Sequence, residues 1–285
     1  MRRVLLNTGI EGRRVAWLRT PTGADELAAD GGADLLLDRC LVERGDGTVA
    51  PGMARRLPLA DRDRLLLTLQ RMLFGDQVQA DAPCTACGES FSLDFSLAAL
   101  LDAHHTARPD DVAGPDAAGH YCLHDITFRL PTSEDLDRAA AIAGSARFEP
   151  PDAAPAEQAG TGAGTAARAL LDAVVIAGDA AGREAELEVA MAALGPVLDV
   201  DLDATCPHCA NGQRPRFSIG PFLEQQLANE RRFVLREVHR LARAYGWSCA
   251  SILELPRADR HAFALFIEGE LPRSAEPLVQ AGTGW

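Results

Sequence analysis

Apolar side chains recur every three to four residues along much of the chain, the spacing that gives a helix one core-facing stripe. Leu65, Leu66, Leu69, Met72 and Leu73 predict a helix over 61–74, and Leu187, Met191 and Leu194 a shorter one over 185–194. The longest stripe, Leu223, Leu227, Val234, Val238, Leu241 and Tyr245, predicts a helix from 222 to 245 that Gly246 stops. Ser248 then caps a short helix through Ile252 and Leu253, Pro256 interrupts, and a last helix carries Phe263, Phe266 and Ile267. Period-two patterns are fewer. Residues 15–19 and 121–130 read as strands, the second with Cys122, His124, Ile126, Phe128 and Leu130 on one face. Each runs into a Pro-Thr pair whose threonine, Thr22 or Thr132, is placed to cap a helix with an acidic first turn.

The same succession occurs twice. Leu18-Arg19-Thr20-Pro21-Thr22 with Asp25 matches Arg129-Leu130-Pro131-Thr132 with Asp135, and Leu36-Leu37-Asp38 matches Leu170-Leu171-Asp172. Leu65, Leu69 and Met72 lead to Cys84 and Cys87 at the same offset at which Leu187, Met191 and Leu194 lead to Cys206 and Cys209, and Phe91-Ser92-Leu93 and Phe217-Ser218-Ile219 follow. Matched blocks in one order predict an α+β chain, mostly helical, built from two related copies, each with a small β element and a Cys-x-x-Cys hairpin. Residues 1–104 form the first copy, 105–119 a linker, 120–221 the second copy, 222–271 a C-terminal helical module and 272–285 a frayed tail. Residues 144–165, rich in Ala, Pro and Gly, read as a flexible insertion in the second copy.

Composition narrows the chemistry. The chain has 285 residues, 47% apolar and 24% charged, enough for a sizeable core. The 41 acidic side chains against 28 basic ones give a net charge of −13, which disfavours diffuse attraction to nucleic acid or anionic lipid. Every basic residue is arginine. Without lysine there is no Schiff base, no phosphate-loop amine and no kinase site, and no Gly-x-Ser-x-Gly or His-Glu-x-x-His occurs, so an enzyme is not expected. No stretch is apolar enough for a membrane span, and Val4-Leu5-Leu6 after Arg2-Arg3 is too short for a signal peptide. The expected location is the bacterial cytoplasm, where seven cysteines, an odd number, favour reduced thiols and metal ligation.

Cys84-Thr85-Ala86-Cys87-Gly88 and Cys206-Pro207-His208-Cys209-Ala210 carry the strongest chemical signal. A Cys-x-x-Cys knuckle puts two sulfurs on one ion, and a following Gly allows the tight turn that aims backbone amides at sulfur. Ordinary ribbons separate their pairs by roughly 15–20 residues, whereas residues 88–205 intervene here. Duplication answers that objection: each copy supplies half of one closed, zinc-ribbon-like site, with one structural Zn2+ on Cys84, Cys87, Cys206 and Cys209. Four thiolates leave no open position for water, so catalytic zinc is not expected. A redox pair usually precedes a helix within a βαβ unit, which neither pair does; an iron–sulfur centre would use the same four thiolates. His208 is expected at the surface or behind the ligands. His120, Cys122 and His124, with His104-His105 before them, make a second metal site conceivable, although a sheet face with polar residues at its end is the simpler reading. Cys40 and Cys249 lie in apolar helical patterns and are expected to be buried.

With these residues in hand, the chain resembles the phage T4-type baseplate hub assembly chaperone family, whose relatives are encoded with contractile tails and contractile injection systems. The likeness rests on Pro21, Thr22 and Asp25, on Leu36, Leu37, Arg39 and Cys40, on Asp61-Arg62-Asp63-Arg64-Leu65-Leu66-Leu67 and on the Cys84/Cys87 knuckle. At the far end, Leu241-Ala242-Arg243-Ala244-Tyr245-Gly246-Trp247-Ser248 and Ile252-Leu253-Glu254-Leu255-Pro256-Arg257 look like a small tail-protein module. The resemblance implies a non-enzymatic scaffold or assembly chaperone whose partners are baseplate or hub proteins, acting in the host cytoplasm or carried into the particle. Trp247, Leu253, Leu255 and Pro256 form an apolar cluster expected to dock a partner or to serve as local core. The alternative is a nucleic-acid-binding zinc-ribbon regulator, since residues 213–243 carry seven Arg against three Glu; the acidic chain and the few interleaved aromatics argue against it.

Overall fold

The computed structural model describes residues 1–10, 13–28, 31–43, 49–103, 108–146 and 158–270. It is a mixed α+β structure with small antiparallel sheets. β1 (Arg2–Ile10) and β2 (Arg13–Leu18) form a hairpin that buries Val4, Leu6, Ala16 and Leu18 on one face. α1 (Gly23–Ala28) and α2 (Ala33–Cys40) return the chain to β3 (Leu41–Val42), which pairs Leu41 with Leu18 to complete a sheet of order β1-β2-β3. α3 (Met53–Arg56) leads to α4 (Leu59–Phe74), the helix expected over 61–74. Its Leu65, Leu66 and Leu69 are fully buried, each contributing about 2 kcal/mol of apolar burial. Asp61, on the same helix and equally buried, accepts the backbone N–H groups of Thr8 and Gly9 at 3.0 and 2.9 Å and so ties α4 to the irregular end of β1. β4 (Gln77–Pro83) and β5 (Ser90–Ser96) form a hairpin, and α5 (Leu97–Ala103) follows.

The second half opens with β6 (Val112–Ala113), β7 (His120–Leu123) and β8 (Ile126–Arg129). The single strand expected over 121–130 is therefore a tight hairpin. Its turn includes His124 at φ 53°, and the reversal puts Tyr121, Leu123, Ile126 and Phe128 in the core, so Cys122 and His124 do not share a face with Ile126. Within the expected linker, 105–119, β6 pairs with β7, while 105–107 lies outside the described residues. α6 (Ser133–Ala146) and α7 (Gln158–Val174) lead to β9 (Val175–Ala177), giving a sheet of order β6-β7-β8-β9. The expected insertion over 144–165 is thus helical at both ends, while 147–157 lies outside the described residues. α8 (Glu184–Leu194) matches expectation and precedes four short strands, β10 (Asp199–Asp201), β11 (Ala204–Thr205), β12 (Gly212–Gln213) and β13 (Arg216–Ser218), which pair β10 with β13 and β11 with β12.

The strand-to-helix junctions of the two halves are built alike. Asp25 accepts both Arg19 guanidinium nitrogens at 2.6 and 2.9 Å, the Thr22 N–H at 2.9 Å and its hydroxyl at 3.0 Å; Asp135 accepts Arg129 at 2.6 and 2.8 Å and Thr132 at 3.0 and 2.8 Å. Both aspartates are buried. Burial alone would raise each carboxyl, but the arginine and threonine donors outweigh it and hold each at about 2. The halves meet through Leu59 N–H to the Pro131 carbonyl at 2.9 Å and through a Thr8–Tyr121 hydroxyl pair at 3.0 Å.

α9 (Ile219–Tyr245), 27 residues and roughly 40 Å long, is the spine of the molecule. Ile219, Leu223 and Leu227 bury into the first half's core together with Leu198 and Phe217, although they follow the second half's strands and helices in the chain. Val238 and Leu241 face α10 (Cys249–Leu253) and α11 (Arg257–Glu270). Gly246 ends α9 in the left-handed conformation (φ 67°) and Ser248 caps α10 by accepting the Ser251 N–H, as expected. Cys249, at the start of α10, is exposed rather than buried, while Cys40 is buried and its thiol is pushed up to about 12, mainly by desolvation. The expected frayed tail, 272–285, and His104-His105 lie outside the described residues.

Candidate metal centre

Each cysteine pair sits at the tip of a hairpin. In the first, Cys84 N–H donates to the Glu89 carbonyl at 2.8 Å and Gly88 N–H to the Cys84 carbonyl at 2.9 Å; in the second, Cys206 N–H donates to Asn211 and Ala210 N–H to Cys206, both at 2.9 Å. These turns need a left-handed residue after the second cysteine. Gly88 supplies it at φ 77° without strain, whereas Ala210 adopts φ 59° against its own Cβ.

The two tips meet. Cys84 Sγ lies 3.6 Å from Cys209 Sγ and Cys87 Sγ 3.8 Å from Cys206 Sγ, and all four sulfurs lie within 4.8 Å of one another. A tetrahedral ion with metal–sulfur bonds of about 2.3 Å sets its sulfurs about 3.8 Å apart, which these spacings match; a disulfide would need about 2.05 Å. The sequence-predicted ligands are therefore gathered as one site of the kind that holds a metal ion. Cys84 and Cys206 are buried beside Ala82 and Phe91, and Cys87 and Cys209 face solvent.

The electrostatics favour a cation. The Cys87 and Ala86 backbone N–H groups aim at Cys84 sulfur and hold that thiol down to about 6. For Cys87, the Glu89 backbone N–H works in the same direction, but desolvation and the neighbouring sulfurs win and push it up to about 12. Cys209 is raised too, by Cys84 and desolvation against the Asn211 N–H. One thiolate is favoured in this cage and a second is opposed by its neighbours, an opposition that a cation among the four sulfurs would relieve.

Polar side chains lock the two tips together. Gln213 Oε1 accepts the Thr85 N–H at 2.9 Å, its Nε2 donates to the Pro83 carbonyl at 3.0 Å, and Asn211 Nδ2 donates to Thr85 Oγ1 at 3.3 Å. Phe95 and Phe217 pack edge to face behind the hairpins at 5.0 Å. Gln213 and Asn211 were not singled out from the sequence; their place just after the second knuckle is the only local signal, and their role depends on the far hairpin. His208 is exposed at the tip.

The remaining candidates disperse. His120 faces Asp116 at 3.6 Å, and Cys122 Sγ donates to the His124 carbonyl. His124 lies 3.2 Å from Glu186, and with Asp111 these three groups form an exposed polar cluster in which Arg183 also pairs Glu186 at 3.0 Å. Leu253, Leu255 and Pro256 are half-buried against the first half: Gly23 N–H donates to the Leu255 carbonyl at 3.1 Å, Thr22 bridges Pro256, and the Leu253 side chain lies over Gly23. Trp247, 37% exposed, stacks on Tyr245 at 4.9 Å and meets Phe263 edge to face at 5.1 Å. No helix among the described residues is long and apolar enough to cross a membrane. Comparison with family profiles, with curated proteins and with solved structures gives no match.

Proposed function

We propose that the chain is a non-enzymatic scaffold or assembly chaperone, stapled by one structural zinc ion, for the baseplate or hub of a contractile tail or injection particle. The observation that carries the zinc reading is the closing of four sulfurs into one cage from hairpins whose cysteine pairs are separated by residues 88–205. Four cysteine ligands make a closed site that has no coordination position left for substrate. The matched Arg19–Asp25–Thr22 and Arg129–Asp135–Thr132 junctions support a duplicated chain whose halves the ion joins. The assembly role comes from the resemblance in residues 21–40, 61–67 and 241–257. Trp247 is the accessible member of the proposed partner-docking cluster, with Leu253, Leu255 and Pro256 supporting it from behind.

Elemental analysis of the full chain should give about one zinc per chain, lost in Cys84→Ser and in Cys206→Ser alike. Two ions, or zinc retained by either variant, would overturn the shared site. Deleting the gene from its phage or bacterium should abolish contractile particles counted by electron microscopy, and the wild-type gene should restore them. Normal particle numbers without the gene would overturn the assembly role.

A further inference from the structure

Arg14, Arg64 and Arg108 converge on one cavity where the two halves meet. Asn7 of β1, Arg14 of β2 and Arg64 of α4 line it from the first half, and Arg108, Tyr121 of β7 and Leu194 of α8 from the second. Its volume is about 230 Å³, and no carboxylate among the described residues lines it. Each guanidinium is held by a backbone carbonyl instead of a counter-charge. Arg14 Nε donates to the Asn7 carbonyl at 2.9 Å, Arg64 Nη1 to the Leu5 carbonyl at 3.4 Å, and Arg108 Nε and Nη2 to the Val112 carbonyl at 3.3 and 2.8 Å. A guanidinium carries more N–H donors than one carbonyl takes, so each keeps some free.

The neighbouring acids are committed elsewhere. Asp61, one turn before Arg64 on α4, is buried and accepts the Thr8 and Gly9 N–H groups. Asp111, three residues past Arg108, clusters with His124 and Glu186, and Asp110 is exposed and stands outside the lining. Arg64 carries the strongest signal. Arg19, Arg62, Arg129 and Arg257 are half-buried like it, and each pairs with a carboxylate. Arg64 is drawn partly out of water with no such partner among the described residues, in a chain whose net charge of −13 leaves acids in surplus. Withdrawing cations from water is unfavourable unless an anion meets them. An anion from outside the chain completes this arrangement.

We propose that the cavity binds a phosphate group, free or carried on a small organic body. Three convergent positive charges suit a dianion better than a single carboxylate, and guanidinium forks match phosphate oxygens. The carbonyl bonds orient the guanidinium groups in advance, so little order has to be created on binding. Pro115, Leu194 and Pro196 add an apolar wall beside the arginines, against which a small organic body can pack. Because both halves line the cavity, a bound phosphate bridges them at a place that shares no residue with the cysteine cage.

Isothermal titration calorimetry of the full-length, zinc-loaded chain in a chloride buffer tests this with inorganic phosphate, phenyl phosphate and acetate, at about pH 8 where phosphate is a dianion. Phosphate or its phenyl ester should saturate with a Kd at or below about 100 μM, and the tighter of the two tells free phosphate from an organic ester. Acetate should bind at least about tenfold more weakly. Arg14 and Arg108 are exposed and come one from each half, so R14Q and R108Q should keep zinc content and circular dichroism while each weakens phosphate by about tenfold. R243Q, at an exposed position of α9 outside the cavity, should leave the affinity unchanged. Phosphate should also raise the unfolding temperature of wild type and not that of R14Q/R108Q. No saturable binding of either phosphate below about 10 mM, binding indifferent to R14Q and R108Q, or acetate as tight as phosphate would overturn the proposal. An equal loss in R243Q would overturn it as well, by showing diffuse charge in place of a site. So would a single-stranded oligonucleotide that binds more tightly than phenyl phosphate and loses its affinity in the same two variants, since the arginines would then serve a polynucleotide.

Discussion

Asp25→Asn reads the strand-to-helix anchor directly. The native carboxylate has no exposed surface and accepts hydrogen bonds from Arg19, Arg39 and Thr22. Burial works against its charge, but the Arg19 and Thr22 donors lower its pKa from 3.8 to about 2, a shift worth about 2 kcal/mol to the folded state. Because the folded value lies below the unfolded one, this stabilisation is fully present above about pH 5 and is lost as pH falls through 4 towards 2. Asparagine keeps the shape but leaves Arg19 and Arg39 without a counter-charge. Those side chains are 34% and 41% exposed, so water recovers part of the loss and the cost at pH 7 should be about 3 kcal/mol, the low end for a broken buried pair. Urea titrations of wild type and variant at pH 7, 5 and 3, run with a chelator present, keep acid release of a bound metal out of the comparison. The gap between the two proteins should narrow by about 1–2 kcal/mol from pH 7 to pH 3. Asp135→Asn should behave likewise, since Asp135 is also held at about 2 despite burial. A pH-independent gap, or one below about 0.5 kcal/mol, would refute the anchor as a charged device.

Ala210→Gly should stabilise the chain by about 1 kcal/mol and Gly88→Ala should cost about the same, measured by thermal unfolding of the metal-loaded protein. A Cβ at Gly88 would meet nothing within 4 Å, so its cost is purely that of φ 77°. Arg260→Ala removes a fully buried guanidinium that donates to Glu26 at 2.8 Å and Glu237 at 3.2 Å, and should destabilise by about 3–5 kcal/mol in urea while leaving metal content unchanged. Chelating the metal should speed hydrogen exchange at the Thr85 amide, which depends on Gln213 across the hairpins, far more than at α4 amides; uniform acceleration would count against a locally acting staple.

Local information in the amino-acid sequence was sufficient where one element's own period or cap decided its form. The helical stripe of 61–74, that of 185–194, the Gly246 stop and the Ser248 cap all hold, because each depends on side chains a few residues apart. The four clustered cysteines are legible in the sequence, since sulfur chemistry and the Cys-x-x-Cys spacing are local to each pair. Long-range packing decided the rest. Residues 121–130 alternate as one strand would, yet the chain reverses at His124 because Tyr121, Leu123, Ile126 and Phe128 bury on one core, which alternation along a single strand cannot reveal. β1 is held by its pairing with β2 and, at its irregular end, by Asp61, a partner remote in sequence that no local pattern shows. Leu198, Phe217 and Ile219 bury in the first half's core, a long-range contact that no local pattern announces. Only the tertiary structure turned Leu253, Leu255 and Pro256 towards α1 while leaving Trp247 partly exposed, since which residues of so short a segment are covered depends on what folds against it.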